Sequence, residues 1–230
     1  MTFVKGLLVT LLILVILVVS IDRIANWRAE RVLSDRLASN YQLGPPPEVQ
    51  IKGTSFLLQW ASGSYSEVDV TEPQVVSQGV EVTNASAQLH QVSFSPFALS
   101  INDLRAARAE SLEASGILPY AELPVPQGLQ LEPEGSQLRL HGTANSAGGQ
   151  ITISVLIRPV IDQGRLLLKV DQVDAPNPFL KPIISSMVEK SFQGISQPPL
   201  PLGLALSGAQ VGPVGLTLSA NSNQVSLGGS

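Results

Sequence analysis

Hydrophobic residues in this chain follow three successive rhythms. Residues 6–21, GLLVTLLILVILVVSI, carry no charge at all and are bracketed by Lys5 on one side and Asp22-Arg23 on the other. From Ile21 to Tyr41 the apolar positions Ile21, Ile24, Ala25, Ala29, Val32, Leu33 and Leu37 recur at three and four residues, which predicts an amphipathic helix. GPPP at 44–47 ends it, since proline lacks the backbone donor and restricts the residue before it. A short second helix is predicted at 54–61, with Thr54 as its cap and Phe56, Leu57 and Trp60 on one face.

Beyond this point the period is two. Val68 and Val70 alternate with Glu67, Asp69 and Thr71; Val80 and Val82 give way to Ala85, Ala87 and Leu89, a slip of phase near Thr83-Asn84 that predicts a bulge. Leu138 and Leu140 alternate with Arg139 and His141. Ile151, Ile153, Val155 and Ile157 alternate with Thr152, Ser154, Leu156 and Arg158, and after the turn DQG the pattern resumes at Leu166, Leu168 and Val170. Residues 150–173 therefore read as a hairpin. Long strands with short connections imply an antiparallel sheet, because parallel strands need long crossovers. The fold class expected is α+β, a long curved antiparallel sheet wrapped around one or two amphipathic helices.

One helical stripe interrupts the strands. Between Pro178 and Ile195, the residues Phe179, Leu180, Ile183, Ile184, Met187, Val188, Phe192 and Ile195 share a wide apolar face, capped by Asn177 with Pro178 in the first turn. No charge follows Lys190. In that terminal stretch Leu200, Leu202, Leu204 and Leu206, and then Val214, Leu216, Leu218 and Ala220, alternate with small uncharged residues. An ordinary half-exposed strand would carry Lys, Glu or Arg on its second face. Small residues there fit a surface approached by another apolar layer.

Composition sharpens this picture. Charged residues make up 14% of the 230, the net charge is −4, and no basic run is interleaved with aromatics, which excludes nucleic acid as a partner. There are no cysteines, hence no disulfide, thiolate metal site or Cys nucleophile. Sixteen helical residues span about 24 Å, and about 28 Å if Lys5 snorkels and Phe3 and Val4 join, against a hydrocarbon core of about 30 Å. No small-residue cleavage pattern follows, so residues 1–21 are expected to be an uncleaved transmembrane or signal anchor, with secretion after cleavage as the alternative. Residues 22–230 are then one domain outside the cytoplasmic membrane.

Catalytic and metal-binding constellations are not found in the sequence, and no cofactor is expected. His90 and His141 each follow an inward leucine and read as outward-facing. Glu67, Asp69 and Glu72 lack a cation loop of ligand spacing and read as a solvated face. Arg139, Arg158, Arg165 and Lys169 lie among the strands, where phosphate headgroups or plain solvent are the two readings. Asn84-Ala85-Ser86 fits a glycosylation sequon.

The segments DRIANWRAERVLSDRLA, VQIKGTSFLLQWASGSYSEVDV, GILPYAEL, the hairpin, NPFLKPIISSMVEKSF and LPLGLALSGAQVGPVGLTLS together resemble the LmeA-type phospholipid-binding family of bacterial cell-envelope proteins over residues 22–227. The resemblance implies a tubular lipid-binding-like fold, a curved sheet around a long helix enclosing an apolar groove, and a phospholipid or other envelope lipid as partner at the membrane. The pattern itself nominates the lining: Phe56, Trp60, Ile153, Val155, Ile157, Leu166, Leu168, Phe179, Ile183, Ile184, Met187, Val188, Phe192, Leu202, Leu204 and Leu216. A tethered envelope scaffold with a solid core and no ligand is the competing reading; a hydrolase would need an inward acid, base or nucleophile that the alternation does not place.

Overall fold

A computed structural model describes residues 2–41, 45–77, 79–94, 107–146, 149–175, 177–193 and 200–227. The elements in chain order are α1 (Thr2–Tyr41), β1 (Glu48–Lys52), α2 (Phe56–Ser62), β2 (Ser64–Ser77), β3 (Val80–Ser93), β4 (Arg108–Pro119), β5 (Leu129–Glu134), β6 (Gln137–Ser146), β7 (Gly149–Asp162), β8 (Arg165–Asp174), α3 (Lys181–Gln193), β9 (Ala205–Val211) and β10 (Gly215–Ser226). The architecture is α+β and mostly antiparallel. Where one long sheet is expected there are two, one of six strands in the order β1-β2-β3-β4-β10-β9 and one of four in the order β5-β6-β7-β8. The chain divides into two compact units: residues 1–72, 87–112 and 223–230 in the first, residues 73–86 and 113–222 in the second.

In the first unit α1 runs unbroken from the uncharged segment into the amphipathic one. Of the apolar row, Ala25, Ala29, Leu33 and Leu37 are half-buried, while Ile21, Ile24 and Val32 are exposed. Beside that row, polar side chains four residues apart hold β1. Glu30 accepts from the Ile51 amide at 2.8 Å, Asn26 donates to Glu30 and to the Ile51 carbonyl, and Ser34 donates to the Pro47 carbonyl. β1 is the edge of its sheet, so its outer amides and carbonyls need partners, and this row supplies them. A hydrophobic-periodicity reading is blind to such a contact. Among the described residues no helix is long and apolar enough to cross a membrane. The uncharged part of α1 whose side chains are described, Leu11–Ile21, covers about 16 Å, and its large apolar residues are all exposed.

The same unit buries an aromatic cluster. The Tyr65 ring stacks on Phe94 with centroids 4.3 Å apart and meets Phe56 at 6.1 Å. The Tyr65 hydroxyl is buried without a hydrogen-bond partner among the described residues, and burial pushes its pKa up to about 12. A buried hydroxyl with no partner costs about 1–3 kcal/mol. Tyr65→Phe is therefore expected to raise the thermal unfolding midpoint; a lowered midpoint would mean that the hydroxyl is satisfied.

The second unit carries the main apolar core. In the β5–β8 meander, Leu138, Leu140, Ile153, Val155, Ile157, Leu166 and Leu168 all point inward, as the alternation predicts. The β7–β8 hairpin closes through Gln163 and Gly164, both at positive φ (49° and 73°), the two-residue turn whose twist matches paired strands. Asn84 at φ 50° marks the predicted phase slip in β3. The expected strand from Leu200 to Leu206 is corrected: Pro201–Gly203 form a 3₁₀ turn with Leu202 at φ 58°, and β9 begins only at Ala205. Proline there cannot join a ladder. The charge-free β9–β10 hairpin then presents Leu206, Ala209, Val211, Leu216 and Leu218 to the core. At Gly215 a Cβ would lie 2.3 Å from the Leu118 carbonyl, so only glycine lets β10 come so close to that carbonyl.

Candidate functional site

α3 packs on β8, and its geometry decides what this unit can do. Asn177 accepts from the Phe179 amide, as the sequence predicts for the cap, and Pro178–Leu180 form a 3₁₀ turn that leads into the α-helix. Ile195 lies outside the described residues. The wide apolar stripe is two rows, each of i, i+4 spacing. Ile184, Val188 and Phe192 are buried in the core. Phe179, Ile183 and Met187 form the second row and are 85%, 62% and 44% exposed. This corrects the expectation of one inward face. The apolar positions cover more of the helix circumference than a single sheet can meet, so the outer row is left uncovered.

Of the residues named from the pattern, Ile153, Val155, Ile157, Leu166, Leu168, Ile184, Val188, Phe192 and Leu216 come together in one buried cluster. Leu202 and Leu204 are half-buried. Phe56 and Trp60 belong to the first unit, where Phe56 packs on Tyr65 and Trp60 is exposed. The pattern missed Leu118, Leu123 and Leu129, which join the core from β4 and from the connection into β5. GILPYAEL, with Leu118 and Leu123, contains that signal, but its short apolar run has no period.

Two ion pairs lie on the strands around this core. Arg139 binds Glu134 through two nitrogens and also donates to Ser154; its hydrogen bonds hold the Glu134 carboxyl below the usual range. Arg158 reaches Asp171 at 2.9 Å. In the first unit the trio considered as a cation site is explained differently. Lys52 bridges Glu67 and Asp69, and hydrogen bonds to Asp69 and then Glu67 raise its pKa. Glu72 is buried apart from them, with neither oxygen partnered among the described residues. No cluster of metal-ligating type occurs among the described residues. His90 lies 3.9 Å from Glu67; His141 is half-buried rather than freely solvated, with Nδ1 lacking a partner among the described residues.

A groove of about 660 Å³ runs between α1 and β1, lined by Arg23, Asn26, Trp27, Glu30, Arg31 and Ser34 on one side and residues 47–53 on the other. The Arg31 guanidinium sits 4.7 Å from the Trp27 ring centroid. Next to the groove, Asp22 is buried. Its carboxylate accepts from the Leu57 amide and the Ser55 hydroxyl, each at 2.8 Å, while Ser55, rather than the expected Thr54, caps α2. The Leu57 amide, ahead of the Ser55 hydroxyl, holds the Asp22 pKa below its ordinary 3.8. A carboxyl depressed in the folded state contributes stability above about pH 4 that disappears as the pH falls through the folded pKa. Asp22→Asn is thus expected to cost about 1.5–3 kcal/mol at pH 7 and to flatten the acid limb of a stability-against-pH curve. An unchanged curve would mean the carboxylate carries none of this linkage.

α3 thus leaves one apolar row uncovered where it packs on the sheet. The family model for LmeA-like phospholipid-binding proteins matches residues 21–221, and the chain belongs to that family. No curated protein and no solved structure matches it.

Proposed function

We propose that this chain is a non-enzymatic phospholipid-binding or lipid-transfer protein of the bacterial cell envelope, tethered outside the cytoplasmic membrane by residues 6–21. The acyl chains are held at α3, whose inner row closes the core against the sheet and whose outer row stays available to lipid. The observation that carries the reading is that outer row. Fully covering the exposed parts of Phe179, Ile183 and Met187 would recover about 3–6 kcal/mol. A diacyl lipid has a matching need, since some 30 methylenes at about 0.8 kcal/mol each cost roughly 24 kcal/mol in water. Family membership supports the ligand class.

The tether is supported by the exposure of Leu11–Val19 on every side of α1, which has no protein partner there among the described residues, and by the whole uncharged run of 6–21. Full-length protein extracted in mild detergent and examined by non-denaturing mass spectrometry is expected to carry phospholipid mass that organic extraction removes. Protein of the bare polypeptide mass, after extraction too gentle to strip lipid, would overturn the proposal.

A further inference from the structure

The first unit bears its own exposed apolar residues. Leu58 and Trp60 on α2 are 72% and 46% exposed, and Ile24 and Trp27 are exposed on α1. Arg23, Arg28 and Arg31 are exposed on α1 as well. What places α2 is Asp22, the first residue after the uncharged run. Its carboxylate holds the Leu57 amide and Ser55 hydroxyl at 2.8 Å, so the first turn of α2 lies within about one helical turn of the point where that run ends.

We propose that α2 is an interfacial foot: Leu58 and Trp60 enter the headgroup layer of the same bilayer that residues 6–21 span. The inference rests on the tether proposed above. Three observations select the bilayer as the occupant. Ile24 and Trp27 continue the exposed run Leu11–Ile21 along one unbroken helix, and α2 is tied to Asp22, the residue that follows that run. Tryptophan and arginine at the end of an apolar segment are the residues that settle at the membrane–water boundary, and here Trp27 carries the Arg31 guanidinium over its ring, with Arg23 and Arg28 exposed on the same helix. Those arginines complement anionic headgroups, each basic residue near such a surface being attracted to it. The headgroup layer is only about 5–7 Å deep on each side, so a helix held within a turn of the span's end falls inside it. Asp22 is then a positioning residue. Its two hydrogen bonds fix the angle of the foot to the tether, and with it the height at which the first unit stands on the membrane.

Trp27 and Trp60 are the only two tryptophans, so Trp27→Phe leaves Trp60 as a single reporter in the full-length chain. In phosphatidylcholine vesicles containing phosphatidylglycerol, with bromine on the acyl chains close to the headgroup, Trp60 emission is expected to be blue-shifted and quenched about twofold. Adding Leu58→Glu, on a side chain exposed enough to change without unfolding α2, is expected to return the emission to its value in water. A chain that floats with the vesicles while Trp60 stays unquenched overturns the foot and leaves the tether standing. A chain that does not float overturns the tether and the foot together.

Discussion

Val188→Asp is expected to unfold the second unit, and the same charge one residue-row away is expected to do almost nothing to stability. Val188 is fully buried in the inner row of α3, between Ile184 and Phe192 and against the aliphatic faces of β7 and β8. A carboxylate there has no charge partner in the cluster, whose members are all apolar. Isolated burial of a charge costs several kcal/mol after relaxation, and the lost valine packing adds about 1–2 kcal/mol. Domains of this size are stable by about 5–15 kcal/mol, so the change removes most or all of that margin. Ile183→Asp places the same group on the outer row, 62% exposed, where water solvates it. Urea titration followed by tryptic digestion within residues 113–222 measures both. Equal loss of stability in the two variants would mean that the outer row is packed in solution and that the two-row description is wrong.

How far the sequence could lead to this arrangement differs from element to element. The β6–β8 strands were legible because period two with one apolar face leaves a single register that buries Leu138, Val155, Ile157 and Leu166 together. The terminal hairpin was legible in the same way once charge was seen to vanish after Lys190. The split of strands into two sheets was not, since alternation tells which face of a strand is buried and nothing about which neighbour it pairs with. Apolar spacing on α1 pointed to the half-buried Ala25, Ala29, Leu33 and Leu37 but not to the hydrogen bonds made beside them by Asp22, Asn26, Glu30 and Ser34, residues that look like a solvated row until α2 and β1 bring unpaired backbone groups. Leu202 misled for a different reason: it alternates correctly with its neighbours, yet Pro201 and Gly203 bend the chain at that place. On α3 the residues of interest were found, but their division into buried and uncovered rows depends on how much sheet lies beneath, and only the fold supplies that.

That division sets the second large effect. Phe179→Glu combined with Ile183→Glu is expected to lower the phospholipid recovered with the protein about a hundredfold while the fold persists. Both side chains are mostly exposed in the free chain, so replacing them removes little packing, and far-ultraviolet circular dichroism and the urea midpoint should stay close to those of the unaltered protein. In the lipid-bound state they would be covered. Losing the coverage of the exposed parts of one phenyl and one isoleucine side chain, at about 1.5–3 kcal/mol for full coverage of each, removes about 2–4 kcal/mol of binding, and every 1.4 kcal/mol is tenfold. The two carboxylates add a desolvation cost if an acyl chain still tries to lie over them. Ile184→Glu cannot serve as a comparison, since it lies in the buried row and would act through the fold. Lys181→Glu can, because it places a carboxylate on an exposed position of the same helix without removing apolar surface. If lipid recovery falls equally with Lys181→Glu, the loss comes from charge near the helix and not from the apolar row. If it stays at the original level in the Phe179 and Ile183 variant, the acyl chains are held somewhere other than α3.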